Sequence, residues 1–230
     1  MIVVEGLDSA DDFLQLMRPR IDEIIVGDLK IQHFLEWLEL KSESVETKKS
    51  ITSVRAFYFA LTACTITLEY NADFANAFGQ SLSLALAPRP SNFELDRDID
   101  LSLSYDFMRS CDVTLDFEVD LSLALNLSRK KLPMLHSQLQ RLQDQMPDFE
   151  DSERFTQWLE EHLNQWTEDL RQIMIEYRNI GHDWQFTDDQ KKKLQQYYNA
   201  NLLLAECLNS ECYLSREVRE EIEGKMIRKN

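Results

Sequence analysis

Hydrophobic residues recur every three or four positions along most of the chain, which is the spacing of one face of an α-helix. The first two runs predict a helical hairpin that turns at Gly27–Asp28, and Pro19 should kink or break the first helix. A third helix is predicted from about Thr47 to Tyr70, with a deeply buried middle from Val54 to Leu61. The inward positions of the hairpin are Phe13, Leu16, Met17, Ile21, Ile24 and Ile25, then Leu29, Ile31, Phe34, Leu35, Trp37 and Leu38.

The segment from residue 92 to residue 131 gives a conflicting signal, because its apolar and polar residues alternate from Ile99 to Leu127. Alternation is typical of a β-strand, but a single strand through all of these residues would span about 100 Å. No Gly or Pro occurs between Pro90 and Pro133, so the residues that usually form the turns of hairpins are missing. On a helix, alternation places apolar side chains on two opposite stripes, which suits a helix packed between two others. We therefore predict helix, broken near residues 110–112.

Start and stop signals define further helices in the C-terminal half. Pro133 suits the first turn of a helix, and Gly181 suits the end of one. Thr187 and Gln190 have the spacing of a capping box, and Ser215 can begin a last short helix. The apolar stripes are Leu135, Leu139, Leu142 and Met146, then Phe155, Trp158, Leu159 and Leu163, then Trp166, Leu170, Ile173, Met174 and Tyr177. The chain is thus predicted to be all-α, a multi-helix bundle or irregular helical array of about seven to nine helices.

Composition agrees with long helices. The 230 residues include only 5 Gly and 5 Pro, whereas 43% are hydrophobic, so there are few places to turn and enough apolar surface for a core. We divide the chain into an N-terminal helical subdomain, residues 1–90, and a C-terminal helical subdomain, residues 91–230. One continuous domain is the alternative.

Charge and cysteine content exclude several classes of function. The net charge of −16 repels phosphate backbones and anionic membrane surfaces, so we expect no nucleic-acid or membrane partner. The basic runs Lys191–Lys193 and Arg129–Lys131 are interpreted as solvated helix ends or faces. Four cysteines without CxxC spacing support neither structural zinc nor a disulfide framework. No stretch is long enough to cross a bilayer and no signal peptide opens the chain, so we expect a cytoplasmic location.

Motifs for catalysis are missing from the sequence. A phosphate-binding P-loop needs GxxxxGK[ST], and none of the glycines, at positions 6, 27, 79, 181 and 224, begins one. We predict no catalytic residue, no cofactor-binding residue, no metal ligand and no cofactor.

The acidic and histidine residues do not have the spacing of a metal site. His33, Glu36 and Glu39 lie one helical turn apart, but the order differs from the Glu-x-x-His pairs of metal-binding bundles. Glu161–His162 are adjacent and so face different directions. The acidic clusters Glu94, Asp96, Asp98 and Asp100, and Asp148, Glu150, Asp151 and Glu153, lack the glycine of a calcium loop and are interpreted as charges at helix ends.

Three other groups of possible functional residues are expected to serve packing instead. Cys64 or Cys111 as a nucleophile would need a nearby histidine, and each is expected to be a small buried hydrophobe. The triplet His182–Trp184 follows a helix end, so Trp184, with Phe186, is expected to pack an interhelical joint. Of the pair Tyr197–Tyr198, one ring is expected to face inward and the other to lie at the surface.

The segment from residue 182 to residue 222 resembles a known family. It reads HDWQFTDDQ, then YYNANLLLAEC, then LNSECYLSREVREEI, and in this it is similar to the C-terminal helical region of bacterial, chiefly cyanobacterial, NACHT-type signalling NTPases. Weaker similarity extends to Phe13–Trp37, to Val54–Leu61 and to the alternating segment. In that family a separate nucleotide-binding module carries the chemistry, and the helical part senses a ligand or holds the NTPase inactive.

The resemblance implies a non-enzymatic regulatory or sensor module with a protein partner, in signalling or antiphage defence. Because the sequence starts with Met1 close to the helical region, we expect a split partner, a solo sensor or a gene remnant. Two alternatives come from other classes of protein: a helical scaffold that binds peptides without any NTPase, and a metal-dependent hydrolase built from carboxylates.

Overall fold

The computed structural model describes residues 10–45, 51–67, 92–111, 121–147, 152–208 and 213–229. These residues contain nine α-helices and no strand, which confirms the all-α prediction. The helices are α1 (Asp11–Glu23), α2 (Leu29–Glu43), α3 (Ile51–Thr67), α4 (Asn92–Cys111), α5 (Ser122–Lys131), α6 (Pro133–Gln143), α7 (Ser152–Arg178), α8 (Asp188–Leu208) and α9 (Arg216–Lys225). No helix within the described ranges is both long and apolar enough to span a membrane.

The helices pack as two compact units. Helices α1 to α3, α8 and α9, together with residues 184–187 and 226–229, belong to the first, and α4 to α7 belong to the second, which ends at Asp183. The last two helices therefore pack with the N-terminal ones, whereas the sequence-based division placed them in the subdomain 91–230. The division into subdomains 1–90 and 91–230 stays a prediction.

The first unit is built on aromatic and branched aliphatic side chains. Helix α2 packs on α3, α1 packs on α8, and α9 packs on both α1 and α3. Tyr197 and Tyr198 of α8 are both buried and both lie near the ring of Phe59 in α3, at 6.3 and 5.6 Å between centroids. The expectation that one of these tyrosines faces solvent is therefore wrong. Helix α8 is covered from two directions, by α1 and by the aromatic side of α3, so consecutive residues can both be buried.

The second unit resolves the conflict over the alternating segment. Helix α4 buries Ile99, Leu103 and Phe107, which are four residues apart and so lie on one face of the helix. It packs on α5 and α7, and α6 packs on α5 and α7. The helical prediction for this segment is confirmed in α4 and α5, while the predicted break falls partly on residues 112–120, outside the described part of the chain.

Local signals in the sequence place several helix ends correctly. Gly27 has a φ of 83°, and the Asp28 side chain then caps α2 by accepting a hydrogen bond from the Ile31 amide at 3.3 Å. Thr187 and Gln190 form the predicted capping box at 3.1 and 3.3 Å. Ser215 caps α9, and Pro133 opens α6.

Proline 19 does not break the first helix, so of the two predicted effects, a kink or a break, the break is wrong. Helix α1 runs through it from Asp11 to Glu23. Proline removes the amide that would bond the carbonyl of Gln15, and both residues lie on the exposed side of the helix, where that carbonyl can be solvated.

Candidate interaction site

The C-terminal end of α9 is held by buried polar side chains of the first unit. Arg18 of α1 donates to the carbonyl of Lys225, and Thr52 of α3 donates to that of Glu223 at 2.5 Å. Arg55 of α3 donates to the carbonyls of Gly224 and Met226 at 3.3 and 3.0 Å. The last carbonyls of a helix have no partner within the helix and carry a partial negative charge. The two guanidinium groups therefore donate the hydrogen bonds that water would donate at an exposed helix end.

The electrostatics of this helix end depend on burial. Arg18 and Arg55 are 6% and 4% exposed, and burial lowers the pKa of Arg55, against the opposing effect of the nearby Glu39. Arg18 is paired with Asp22 on the same helix. Burial also raises the pKa of Tyr197 to about 12, so its phenol stays neutral. The site combines two cations and a neutral phenol in an environment with little water.

The chain beyond α9 continues across α2 and α3 as a short segment, residues 226–229, here called the C-terminal strap. Met226 and Ile227 are 2% and 1% exposed, although they follow the last helix. Arg228 pairs with Glu39, and Lys229 donates to Glu36 at 2.9 Å. The hydrogen bond from Lys229 lowers the pKa of Glu36. Basic residues of the strap are thus matched to acidic residues of α2.

An aromatic cluster fixes the segment that precedes α8. The rings of Trp184 and Phe186 lie 5.3 and 5.8 Å from that of Phe34 in α2, and Trp184 lies 5.7 Å from Trp37. Lys30 of α2 donates to the carbonyl of Gln185 at 2.8 Å. Trp184 and Phe186 therefore have the packing role expected from the sequence. His182 belongs to the second unit, where its ring lies 2.7 Å from the side-chain oxygen of Asn179.

The second unit has its own buried ionic cluster. Arg178, at the end of α7, contacts Asp100 at 2.5 Å and Asp96 at 2.7 Å, both on α4. Burial lowers the pKa of Arg178, but the charges and hydrogen bonds of the two aspartates more than offset this, and the net shift is upward. Asp98 pairs instead with its neighbour Arg97. Asp96 and Asp100 therefore hold α7 against α4. Asp100 is buried in the interior of α4, so its interpretation as a charge at a helix end is wrong.

The carboxylates considered as metal ligands have other partners. Glu36 and Glu39 bind the strap, while His33 is exposed. Glu161 and His162 lie on the exposed face of α7, 4.0 Å apart. Within the described ranges, no group of three or more His, Cys, Asp or Glu side chains could hold a metal ion.

Other candidates can be described only in part. Glu153 is exposed, whereas Asp148, Glu150 and Asp151 lie outside the described residues, as do the side chains of Glu94, Cys64 and Cys111. In the basic run, Lys191 and Lys193 pair with aspartates in the first turn of α8 at 3.7 and 3.9 Å, as expected of a solvated helix end.

The sequence interpretation missed the buried arginines, although a signal was present. Arg18 falls on the inward stripe of α1 between Leu14 and Ile21, and Arg55 interrupts the apolar run of α3. A cation in the middle of an apolar stripe indicates a buried partner. The partner itself could not be found, because it is a set of backbone carbonyls far along the chain.

Comparison with known proteins gives one finding. Residues 135–229 match the family model for NACHT C-terminal Helical domain 2. This confirms the predicted resemblance and extends it back from residue 182 to the start of α6. No curated protein and no solved structure gives a significant match.

The NACHT-like segment, residues 135–229, contains one side of the contacts made by Arg178, by the end of α9 and by the strap. It supplies Arg178, the end of α9 and the strap. The other side comes from residues outside the match: Asp96, Asp100, Arg18, Glu36, Glu39 and Arg55. The N-terminal helices therefore complete polar contacts that the NACHT-like segment leaves open.

Proposed function

We propose that this protein is a non-enzymatic helical regulatory or sensor module, related to the C-terminal part of NACHT-type signalling NTPases, that acts through contacts with a protein partner. The partner would be a NACHT-type NTPase or a protein that is sensed, in cytoplasmic signalling that includes antiphage defence. The observation that carries this proposal is the match of residues 135–229 to NACHT C-terminal Helical domain 2. The net charge of −16 argues against nucleic acid or an anionic membrane as the partner.

The use of charged residues supports a role without catalysis. The carboxylates that the sequence offered for metal chemistry hold helices together instead: Asp96 and Asp100 bind Arg178, and Glu36 and Glu39 bind the strap. Groups that are neutralised by a structural partner are poor general acids or bases, because proton transfer would break the contact that positions them.

A surface of the first unit suits a protein partner. Leu16 and Phe13 lie one turn apart on α1 and are 71% and 38% exposed, so the prediction that they face inward is wrong. Tyr213, 68% exposed, is held next to the start of this helix, since its carbonyl accepts a hydrogen bond from the Ala10 amide at 3.1 Å. We call Phe13, Leu16 and Tyr213 the α1 patch. Phe13 and Leu16 are neighbours on one helix face, Tyr213 is placed near them by its backbone, and neighbouring exposed apolar side chains are typical of interaction surfaces.

The proposal is tested by co-purification with NACHT-type NTPases encoded in the same genome. We expect one of them to bind and its rate of nucleotide hydrolysis to change on binding. Leu16→Glu should weaken this binding at least about tenfold, because it places a charge in an apolar contact. Leu123→Glu, an equally polar change at a residue of α5 that is 52% exposed, is the control and should not weaken it.

Two results would count against the proposal. If none of the NTPases binds and none changes its rate, the partner is of another kind, and capture of an unrelated peptide would favour the helical-scaffold alternative. If the purified protein hydrolyses a small molecule, and a point substitution abolishes the activity, the protein is an enzyme.

A further inference from the structure

We propose that the C-terminal strap, residues 226–229, opens by detaching from α2 and α3 through local unfolding while both units stay folded. The ionic strength controls how readily the strap opens. The proposal goes beyond the proposed function. It concerns the chain alone, and its test needs no partner.

Backbone strain is the first observation. Ile227 has a φ of 51°, in the left-handed region that β-branched side chains strongly disfavour. Asn179 and Gln185 also have positive φ, but neither is β-branched, and asparagine adopts this conformation readily. A strained residue persists only while its surroundings hold it, so opening of the strap would relieve an unfavourable conformation.

The contacts that hold the strap are the second observation. On one side, the side chains of Met226 and Ile227 are buried and the Met226 carbonyl accepts from Arg55 at 3.0 Å. On the other side, Arg228 and Lys229 bind α2 through ion pairs. Lys229 and Glu36 are 38% and 50% exposed, so their pair is weak and is screened by salt. Arg228 is 51% exposed but its partner Glu39 is only 18% exposed, so this second pair is screened less.

The consequence of opening follows from the same contacts. Arg55 would lose the Met226 carbonyl, while Thr52 and Arg18 would keep their carbonyls within α9. Opening would thus be confined to the strap and would stop at the end of α9. It would expose apolar side chains and uncover Glu36 and Glu39 of α2. The closed strap therefore controls access to an acidic and apolar surface of the first unit.

Hydrogen exchange followed by mass spectrometry tests this on the full chain. The probes are peptides that cover the strap and peptides from the interior of α2. Raising the salt concentration from about 20 mM to about 0.5 M should speed exchange of the strap severalfold, because surface pairs are screened at the higher concentration. Exchange in the interior of α2 should stay unchanged, since the opening is local.

Substitutions identify the ion pairs as the cause. Replacing both cations, with Arg228→Gln and Lys229→Gln, should speed strap exchange about tenfold at low salt and abolish the salt effect. The matched control replaces Lys192 and Arg216 with Gln, which removes the same charge from two exposed positions on α8 and α9. This control should exchange like the original protein.

A charge swap at one pair completes the test. Glu36→Lys alone should speed strap exchange, and adding Lys229→Glu should restore it, because the attraction is then re-formed with opposite signs. The proposal is overturned if the strap exchanges as slowly as the interior of α2 at both salt concentrations. It is equally overturned if the single variants speed exchange throughout the unit, or if the swap restores nothing.

Discussion

Removal of Arg178 tests how the second unit is held together. We consider Arg178→Met, which keeps most of the length of the side chain and removes its charge. The guanidinium lies 2.5 Å from Asp100, whose side chain is 0% exposed, and 2.7 Å from Asp96, which is 26% exposed. After the substitution, Asp96 can regain solvent by a small movement. Asp100 cannot, and a charged or polar group is left buried without its cation.

The expected cost follows from this difference in exposure. Removing one partner of a buried ion pair typically destabilises a protein by about 3–5 kcal/mol, and we expect a value in this range for Arg178→Met. Asp96→Asn should cost about 1 kcal/mol, because the pair it breaks is partly solvated. The aspartates raise the pKa of Arg178 above its already high ordinary value, so the guanidinium keeps its charge up to strong alkali. The cost should therefore be the same throughout the neutral range.

The assay must report on the second unit alone, because two units need not unfold together. Hydrogen exchange of α4 and α7 gives the free energy of opening for each helix. Arg141→Met, at an exposed position of α6 in the same unit, is the matched control and should change stability by less than about 0.5 kcal/mol. If Arg178→Met costs no more than this control, the buried cluster contributes nothing and the reasoning from burial is wrong.

Three further predictions test local features. Thr187→Ala should destabilise α8 by about 1 kcal/mol in urea unfolding, since it removes half of a capping box; no change would mean that the cap is not used in solution. Gly27→Ala and Gly181→Ala should each cost about 1–2 kcal/mol by strain at positive φ. Gly181→Ala should cost more, because its new Cβ would lie 3.3 Å from Met174 while that of Gly27 would meet nothing within 4 Å; equal costs would contradict this. Burial raises the pKa of Tyr197 from 10.0 to about 12, so in alkali the unfolded chain loses this proton before the folded protein does. The contribution of the neutral phenol to stability is therefore complete below pH 10.0 and is lost as the pH rises to about 12. Tyr197→Phe should remove that alkaline loss in unfolding measured as a function of pH, and an unchanged profile would refute the assignment.

The alternating segment shows how far a hydrophobic pattern can be interpreted. Period two favoured a strand, and the scarcity of glycine and proline favoured a helix; the helix was correct. In α4 the alternation leaves Ile99, Leu103 and Phe107 on one buried face, while Leu101 is half-buried. The pattern was ambiguous because a helix covered from more than one direction has apolar residues outside a single stripe. Only its neighbours, α5 and α7, decided which positions became core.

The ends of helices were determined by the sequence, because capping is a local interaction between residues three or four positions apart. Asp28, Thr187 with Gln190, and Ser215 could therefore be assigned from their spacing. The NACHT-like character of the C-terminal part was also visible in its residues. The contacts of the candidate site could not be predicted from the sequence. Arg18 and Lys225 are 207 positions apart, and Thr52 and Glu223 are 171 apart.

Tertiary structure alone decided those contacts, because the acceptors at the end of α9 are backbone carbonyls. A carbonyl is present at every residue, so no side-chain pattern marks the ones that a distant arginine will bind. The same holds for the strap, since its basic residues reach their acidic partners on α2 because α9 packs against α1 and α3. Local chemistry set where each helix begins and ends, and packing between distant segments set which charges were buried and what they bind.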